Sequence, residues 1–143
     1  MLKLILFVPL LFLVSFSVSL AAGDSIKVVP GNYSITTTTK SNMKSNPDIE
    51  TEDKCIKDAF YNPKQFMSED DGCTASNMKK SGNKLTFDIK CEAGEGMPNM
   101  TGKGEASATS STISSHYKMA GTFQGMEVSW DSKSEGKRTG DCK

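Results

Sequence analysis

The chain has 143 residues, in which 17 Lys and Arg residues balance 17 Asp and Glu residues. The two signs of charge are interspersed and form no basic stripe. This argues against nucleic acid as a partner, because such binding requires clustered positive charge. Ser, Thr, Gly and Asn are frequent, whereas leucine nearly disappears after residue 20. The composition therefore favours strands and turns over helices.

The N-terminal segment has the pattern of a secretory signal peptide. Lys3 supplies a positive charge, and an apolar run and then small residues follow it. Small residues at positions −3 and −1 predict cleavage after Ala21, with Ala22 as the second choice. An uncleaved anchor is the alternative, but serines interrupt the roughly 20 apolar residues that a spanning helix needs. We expect a signal peptide over residues 1–22 and a single exported β domain over residues 23–143, with no stable membrane insertion after cleavage.

The first half of the exported domain contains one predicted strand and one predicted short helix. A period of two predicts a strand from Asn32 to about Lys40, and the polar stretch from Ser41 to Thr51 is interpreted as a loop. Proline suits the first helical turn, so we expect one short helix to begin near Pro63. The apolar residues expected to cover the sheet from this segment are Phe60, Phe66 and Met67.

The cysteines after this helix predict a disulfide-bonded hairpin. Cys73 and Cys91 each lie nine residues from Gly82, so folding the segment about that glycine places them opposite each other. A cross-strand disulfide needs this arrangement, with β carbons roughly 3.5–4.5 Å apart. Cys55 and Cys142 are then left to form the second bond. Only the hairpin symmetry selects this connectivity among the three that four cysteines permit.

Alternating segments continue to the end of the chain. They occupy Thr101–Thr109, the stretch from Ile113 to Phe123, and the stretch that begins at Met126. Together with the preceding segments they predict five or six strands joined by short turns in a meander. The predicted fold is mainly β: a single antiparallel curved sheet or partly open barrel, with one short helix and two disulfides.

The period of two also places one set of apolar side chains on a single face of this sheet. These residues are Leu85, Phe87, Ile89, Tyr117, Met119, Val128 and Trp130. One short helix cannot cover a face of this size, and a large exposed apolar face is an interaction site or a liability. We therefore expect part of the face to remain as a groove that binds a partner or ligand.

No catalytic, cofactor or metal motif is present. His116 is the only histidine and is predicted on the polar face of its strand. No Ser or Cys nucleophile can be tied to it, because the cysteines are assigned to disulfides. Glu69-Asp70-Asp71 lacks the ligand spacing of a calcium loop. The chain has eight methionines including Met1, and thioethers select cuprous copper, so a site formed by Met97, Met100 and His116 is the one metal alternative.

Several short motifs occur in an order that resembles a known family. They are Pro30-Gly31-Asn32-Tyr33, Cys55 before a short helix, Asp71-Gly72-Cys73, the Gly82-Asn83 turn, Cys91, a Gly-rich strand and the closing segment from Gly136 to Cys142. Together they resemble the bacterial, mostly periplasmic family 3617 of domains of unknown function, over nearly all of the exported domain. Asn32-Tyr33 departs mildly from the aromatic residue usual after Pro-Gly. The resemblance implies an exported, disulfide-bonded β domain and carries over no activity and no site residue.

These observations favour a periplasmic or secreted protein that is not an enzyme and has no cofactor. We expect it to bind a small apolar ligand, a lipid or an envelope protein. The alternatives are a methionine-rich copper-handling protein and a purely structural envelope factor.

Overall fold

A computed structural model describes residues 23–66, 72–92, 94 and 98–143 of the chain. The predicted signal peptide therefore lies outside the described residues. The strands, numbered along the chain, are β1 (Ile26–Lys27), β2 (Gly31–Ser41), β3 (Asp48–Ile56), β4 (Phe60–Tyr61), β5 (Cys73–Ser81), β6 (Lys84–Cys91), β7 (Met100–Ala108), β8 (Thr112–Phe123) and β9 (Met126–Gly140). In this part of the chain, no helix is long and apolar enough to cross a membrane.

Seven strands form one antiparallel sheet, which confirms the mainly β prediction. Their order is β3-β2-β9-β8-β7-β6-β5, and β1 and β4 form a separate two-stranded sheet. Strands β5 to β9 are the predicted meander, and the hairpin of β2 and β3 is added beside β9. The large sheet is open, because β3 and β5 each pair along one side only.

The predictions of five or six strands and of a loop from Ser41 to Thr51 are wrong, because β3 begins at Asp48. Eight of its nine residues, those from Asp48 to Cys55, are exposed. An edge strand that is exposed on both faces has no row of buried side chains. Its sequence therefore lacks the alternation of apolar residues by which strands are recognised. Its pairing with β2 is carried by the backbone, from Gly31 opposite Ile56 to Thr39 opposite Asp48.

The predicted helix is reduced to a single turn, α1 (Pro63–Phe66), which begins at the expected proline. Met67 lies outside the described residues. Phe60 belongs to β4 instead and is 55% exposed. The cover that we expected from a helix is provided by β1, β4 and the residues beside them. Ile26, Val28 and Pro63 are the buried members of this cover.

Both expected disulfides are present. Cys73 is bonded to Cys91 across the β5–β6 hairpin, and Cys55 at the end of β3 is bonded to Cys142. No cysteine is free. Two structural disulfides in a domain of this size indicate an oxidising compartment, since thiols are kept reduced in the cytosol.

The strand register divides the large sheet into two faces. We call the face that carries Leu85, Phe87 and Ile89 the inner face, and the opposite one the outer face. These three side chains of β6 are buried, and β7 places a glycine or an alanine directly opposite each of them. Gly104 is required there, because a β carbon at this position would overlap the ring of Phe87. The missing side chain lets Phe87 reach Tyr117, with ring centroids 6.0 Å apart.

Candidate functional site

The register places the seven residues of the predicted apolar face on the inner face, but most of them belong to the core. Leu85, Phe87, Ile89 and Val128 are buried, with exposures of 3% or less. Tyr117, Met119 and Trp130 are half-buried and pack against that core.

The candidate site is a pocket between the small sheet and the inner face, with a volume of about 450 Å³. Of the seven predicted face residues, only Tyr117 lines it. Its aliphatic wall is formed by Ile26, Val28, Ile35, Ile56 and Ile113, and its aromatic wall by Phe60, Tyr61 and Tyr117. A volume of this size falls in the range of about 300–1,000 Å³ that is typical of small-molecule pockets.

Gly136 forms part of the pocket floor at the centre of the sheet. It lies opposite Ile113 on β8 and opposite Ile35 on β2. A β carbon on Gly136 would lie 2.6 Å from Cγ1 of Ile113 and 3.1 Å from Cγ1 of Ile35. The absence of a side chain therefore lets the two isoleucines approach each other across β9 and form a continuous apolar floor.

The small sheet is held over the pocket by hydrogen bonds that a hairpin turn supplies. The Asn83 side chain, in the β5–β6 turn, accepts from the backbone N–H of Lys27 at 2.8 Å and donates to the carbonyl of Lys27 at 2.9 Å. It also donates to the carbonyl of Ala108 at 2.7 Å. The Tyr33 hydroxyl donates to the carbonyl of Val29 at 2.7 Å. The Asn of the Gly82-Asn83 motif thus fixes the segment that covers the pocket.

A pair of tyrosines connects the cover to the floor. The hydroxyls of Tyr61 on β4 and Tyr117 on β8 lie 2.8 Å apart. Burial and the neighbouring Tyr117 hydroxyl raise the pKa of Tyr61 far above its ordinary value. The Tyr61 hydroxyl therefore stays neutral at any physiological pH.

A row of polar side chains crosses the pocket floor between the isoleucines and Tyr117. Thr37, Ser115 and Ser134 form this row, and the hydroxyls of Thr37 and Ser134 lie 2.8 Å apart. The charged lining residues are Glu52, Lys54, Lys57 and Asp58. All four are exposed. The pocket thus combines apolar walls with a row of hydroxyl groups on its floor and a charge-balanced, solvated rim.

The sequence analysis missed most of the residues that form this pocket. Ile26-Lys27-Val28 carries a short alternation directly after the predicted signal peptide, and this was the available signal. A three-residue pattern is too short to identify a strand by itself. Ile56 was missed together with β3, for the reason given above.

The outer face carries charges and contains His116, as expected from its strand pattern. Nε2 of His116 donates to Asp131 at 2.7 Å, and Lys118 lies 3.5 Å from the same carboxylate. The side chain of His116 is 30% exposed, so it is less solvated than we expected. Among the described residues its side-chain hydrogen-bond partner is a carboxylate, which leaves no nucleophile paired with this histidine.

The two described residues of the copper alternative, Met100 and His116, lie on opposite faces of the sheet. Met100 lies opposite Cys91 and Gly121 on the inner face, whereas His116 lies on the outer face. Met97 and Glu69-Asp70-Asp71 are outside the described residues. Within the described ranges, no group of three or more His, Cys, Asp or Glu side chains is arranged to hold a metal ion.

In a comparison with known families, a family model described as a protein of unknown function, DUF3617, matches residues 28–142. This confirms the resemblance inferred from the sequence motifs. Comparisons with curated proteins and with solved structures gave no match.

Proposed function

The chain belongs to the DUF3617 family, whose function is unknown, and we propose that this member is an exported binding protein for a small apolar ligand. The observation that carries the proposal is the pocket of about 450 Å³ under the small sheet. Its aliphatic and aromatic walls match the general composition of small-molecule sites, which are mostly apolar with a few polar groups.

The proposal includes no catalytic step and no cofactor. The cysteines are held in disulfides and supply no thiolate nucleophile. His116 lies on the outer face and is separated from the pocket by the sheet. The disulfides support action in an oxidising compartment, which we propose to be the periplasm or the extracellular medium after removal of residues 1–22.

A neutral fluorescent probe tests this proposal directly. N-phenyl-1-naphthylamine is an uncharged aromatic amine whose emission rises in apolar surroundings. From the affinity typical per non-hydrogen atom, we expect saturable binding with a dissociation constant on the order of 10–100 µM. The probe should be titrated into the oxidised domain that begins at Gly23.

A matched pair of variants locates the binding. Ser115→Leu introduces a larger side chain into the pocket lining and should weaken probe binding at least tenfold. Ser132→Leu makes the same change on the inner face outside the lining and should leave the affinity within about twofold. Equal effects of the two variants, or no saturable binding by the unaltered domain, would contradict the proposal.

A further inference from the structure

The row of hydroxyl groups on the pocket floor carries information about the ligand, and we propose that it binds the uncharged hydroxyl or amide head of a single-chain amphiphile. This inference rests on the proposed function, because it assigns a chemical class to the ligand of the same pocket. The aliphatic chain would lie against Ile26, Ile35 and Ile113, and the head would lie at the hydroxyls beyond them.

Three hydroxyl side chains form a row across three neighbouring strands. Ser115 on β8 is directly opposite Ser134 on β9, and Ser134 is directly opposite Thr37 on β2. All three line the pocket, and all three are half-buried. The row therefore presents hydrogen-bonding groups side by side across the pocket floor, between Ile113 and Tyr117 on β8.

The pairing within this row leaves capacity for a ligand. The hydroxyls of Thr37 and Ser134 lie 2.8 Å apart, so one of them donates its proton to the other. Each hydroxyl has one proton and two acceptor positions. The remaining hydroxyl proton of this pair can donate to a ligand. The Ser115 hydroxyl can both donate to the ligand and accept from it. A head group that both donates and accepts, such as an alcohol or amide, matches this set.

The charges at the rim argue against an ionic head. Two acidic residues, Glu52 and Asp58, and two basic residues, Lys54 and Lys57, line the pocket and are exposed. Their formal charges cancel, so the rim gives no net preference for an anion or a cation. The remaining lining residues are uncharged, so a charged head deeper in the pocket would have no ion partner, and burial of an unpaired charge is costly.

Displacement of N-phenyl-1-naphthylamine by four ligands with the same ten-carbon chain tests the head-group preference. The ligands are 1-decanol, 1-chlorodecane, decanoate and decyltrimethylammonium. We expect 1-decanol to bind at least tenfold more tightly than either charged ligand. Binding of decanoate or decyltrimethylammonium as tight as that of 1-decanol would overturn the inference while leaving an apolar pocket in place.

Removal of the hydroxyl pair separates a specific head-group contact from general hydrophobicity. In Thr37→Val/Ser134→Ala, the ratio of the 1-decanol and 1-chlorodecane dissociation constants should change about fivefold in disfavour of the alcohol, as expected for one lost hydrogen bond. The control is Thr39→Val/Ser132→Ala, since Thr39 and Ser132 form an equivalent pair at 2.9 Å outside the pocket lining. This control should leave the ratio unchanged.

The outcomes distinguish the two claims. An unchanged ratio in Thr37→Val/Ser134→Ala, with probe binding intact, would overturn the inference alone. Absence of probe binding in the unaltered domain would overturn both the inference and the proposed function. If the double variant does not fold, the four-ligand comparison on the unaltered domain still decides the inference.

Discussion

Gln124 has a backbone conformation that its side chain disfavours. It has a φ of 51°, and the following Gly125 has a φ of 82°. These two residues join Phe123 and Met126, which pair with each other, so the β8–β9 turn is a two-residue turn with both residues left-handed. Asn tolerates this region far better than Gln does, and Asn-Gly is the preferred pair for such turns.

Gln124→Asn should therefore stabilise the domain. We expect a gain of about 0.5–1 kcal/mol in the free energy of unfolding, because the variant removes a local conformational cost without removing a core contact. Chemical denaturation of the oxidised domain measures this. Thr122→Asn, at an exposed position of β8 with ordinary backbone angles, is the control and should be neutral or destabilising. A loss of stability in Gln124→Asn would contradict the turn assignment.

The ion pair between His116 and Asp131 predicts a dependence of stability on pH. The hydrogen bond from His116 holds the pKa of Asp131 below its ordinary value of 3.8. A carboxylate with a lowered folded pKa contributes stability above its unfolded pKa and loses it as the pH falls through the folded pKa. The melting temperature should therefore decrease as the pH is lowered below about 4.

Asp131→Asn should make this acid-induced decrease shallower, by a few degrees at most because the pair is at the surface. Thermal unfolding between pH 7 and pH 2.5 measures it, and 0.5 M salt should reduce the difference through screening. Asp53→Asn, on the exposed edge strand β3, is the control for removal of a carboxylate elsewhere. Identical pH profiles for Asp131→Asn and the unaltered domain would exclude the predicted contribution.

At the scale of elements, the packing of β6 on β7 depends on a missing side chain. Gly104→Ala places a β carbon against the ring of Phe87, and it displaces that ring from its contact with Tyr117. We expect a loss of about 1–3 kcal/mol, as is typical of overpacking in a core. Gly94→Ala is the matched control, because nothing lies within 4 Å of a β carbon there. Equal stability of the two variants would show that the ring relocates at no cost.

The β5–β6 hairpin shows which part of an element is predictable from sequence. The pairing of Cys73 with Cys91 was predicted from their equal distance from Gly82, and it is confirmed. The symmetric turn on which the prediction relied does not form. Ser81 pairs with Lys84 across a two-residue turn, which by itself would place Cys73 one residue out of register. A bulge between Ser76 and Lys79 corrects this shift. Bulges depend on packing against neighbouring strands and have no reliable sequence signal.

At the scale of the whole molecule, the order of strands β5 to β9 followed from local patterns, whereas the pocket did not. Alternating residues such as Leu85, Phe87 and Ile89 identify a strand and its buried face within a few positions. The pocket instead requires Ile26 and Ile56 to meet Ile113. These residues are far apart in the chain, and no local pattern joins them. Core residues are therefore more predictable here than the residues that line the candidate site.

The two disulfides hold opposite sides of the large sheet. Cys73–Cys91 joins β5, at one edge, to β6, with a sequence separation of 18. Cys55–Cys142 joins the other edge strand, β3, to the segment after β9, with a separation of 87. On the chain-entropy model, the shorter loop contributes about 3 kcal/mol and the longer one about 4–5 kcal/mol. Both values are large beside the roughly 5–15 kcal/mol that stabilises a typical domain.

Separate removal of the two bonds should therefore have unequal effects on stability and on ligand binding. Cys55→Ser/Cys142→Ser should lower the melting temperature more than Cys73→Ser/Cys91→Ser does, because it opens the longer loop. It should also weaken N-phenyl-1-naphthylamine binding, since Cys55 and the adjacent Ile56 line the pocket. Cys73→Ser/Cys91→Ser should preserve the affinity at temperatures where the variant is folded, because neither cysteine contacts the site. Equal losses of affinity would show that the pocket depends on the stability of the whole sheet rather than on the position of β3.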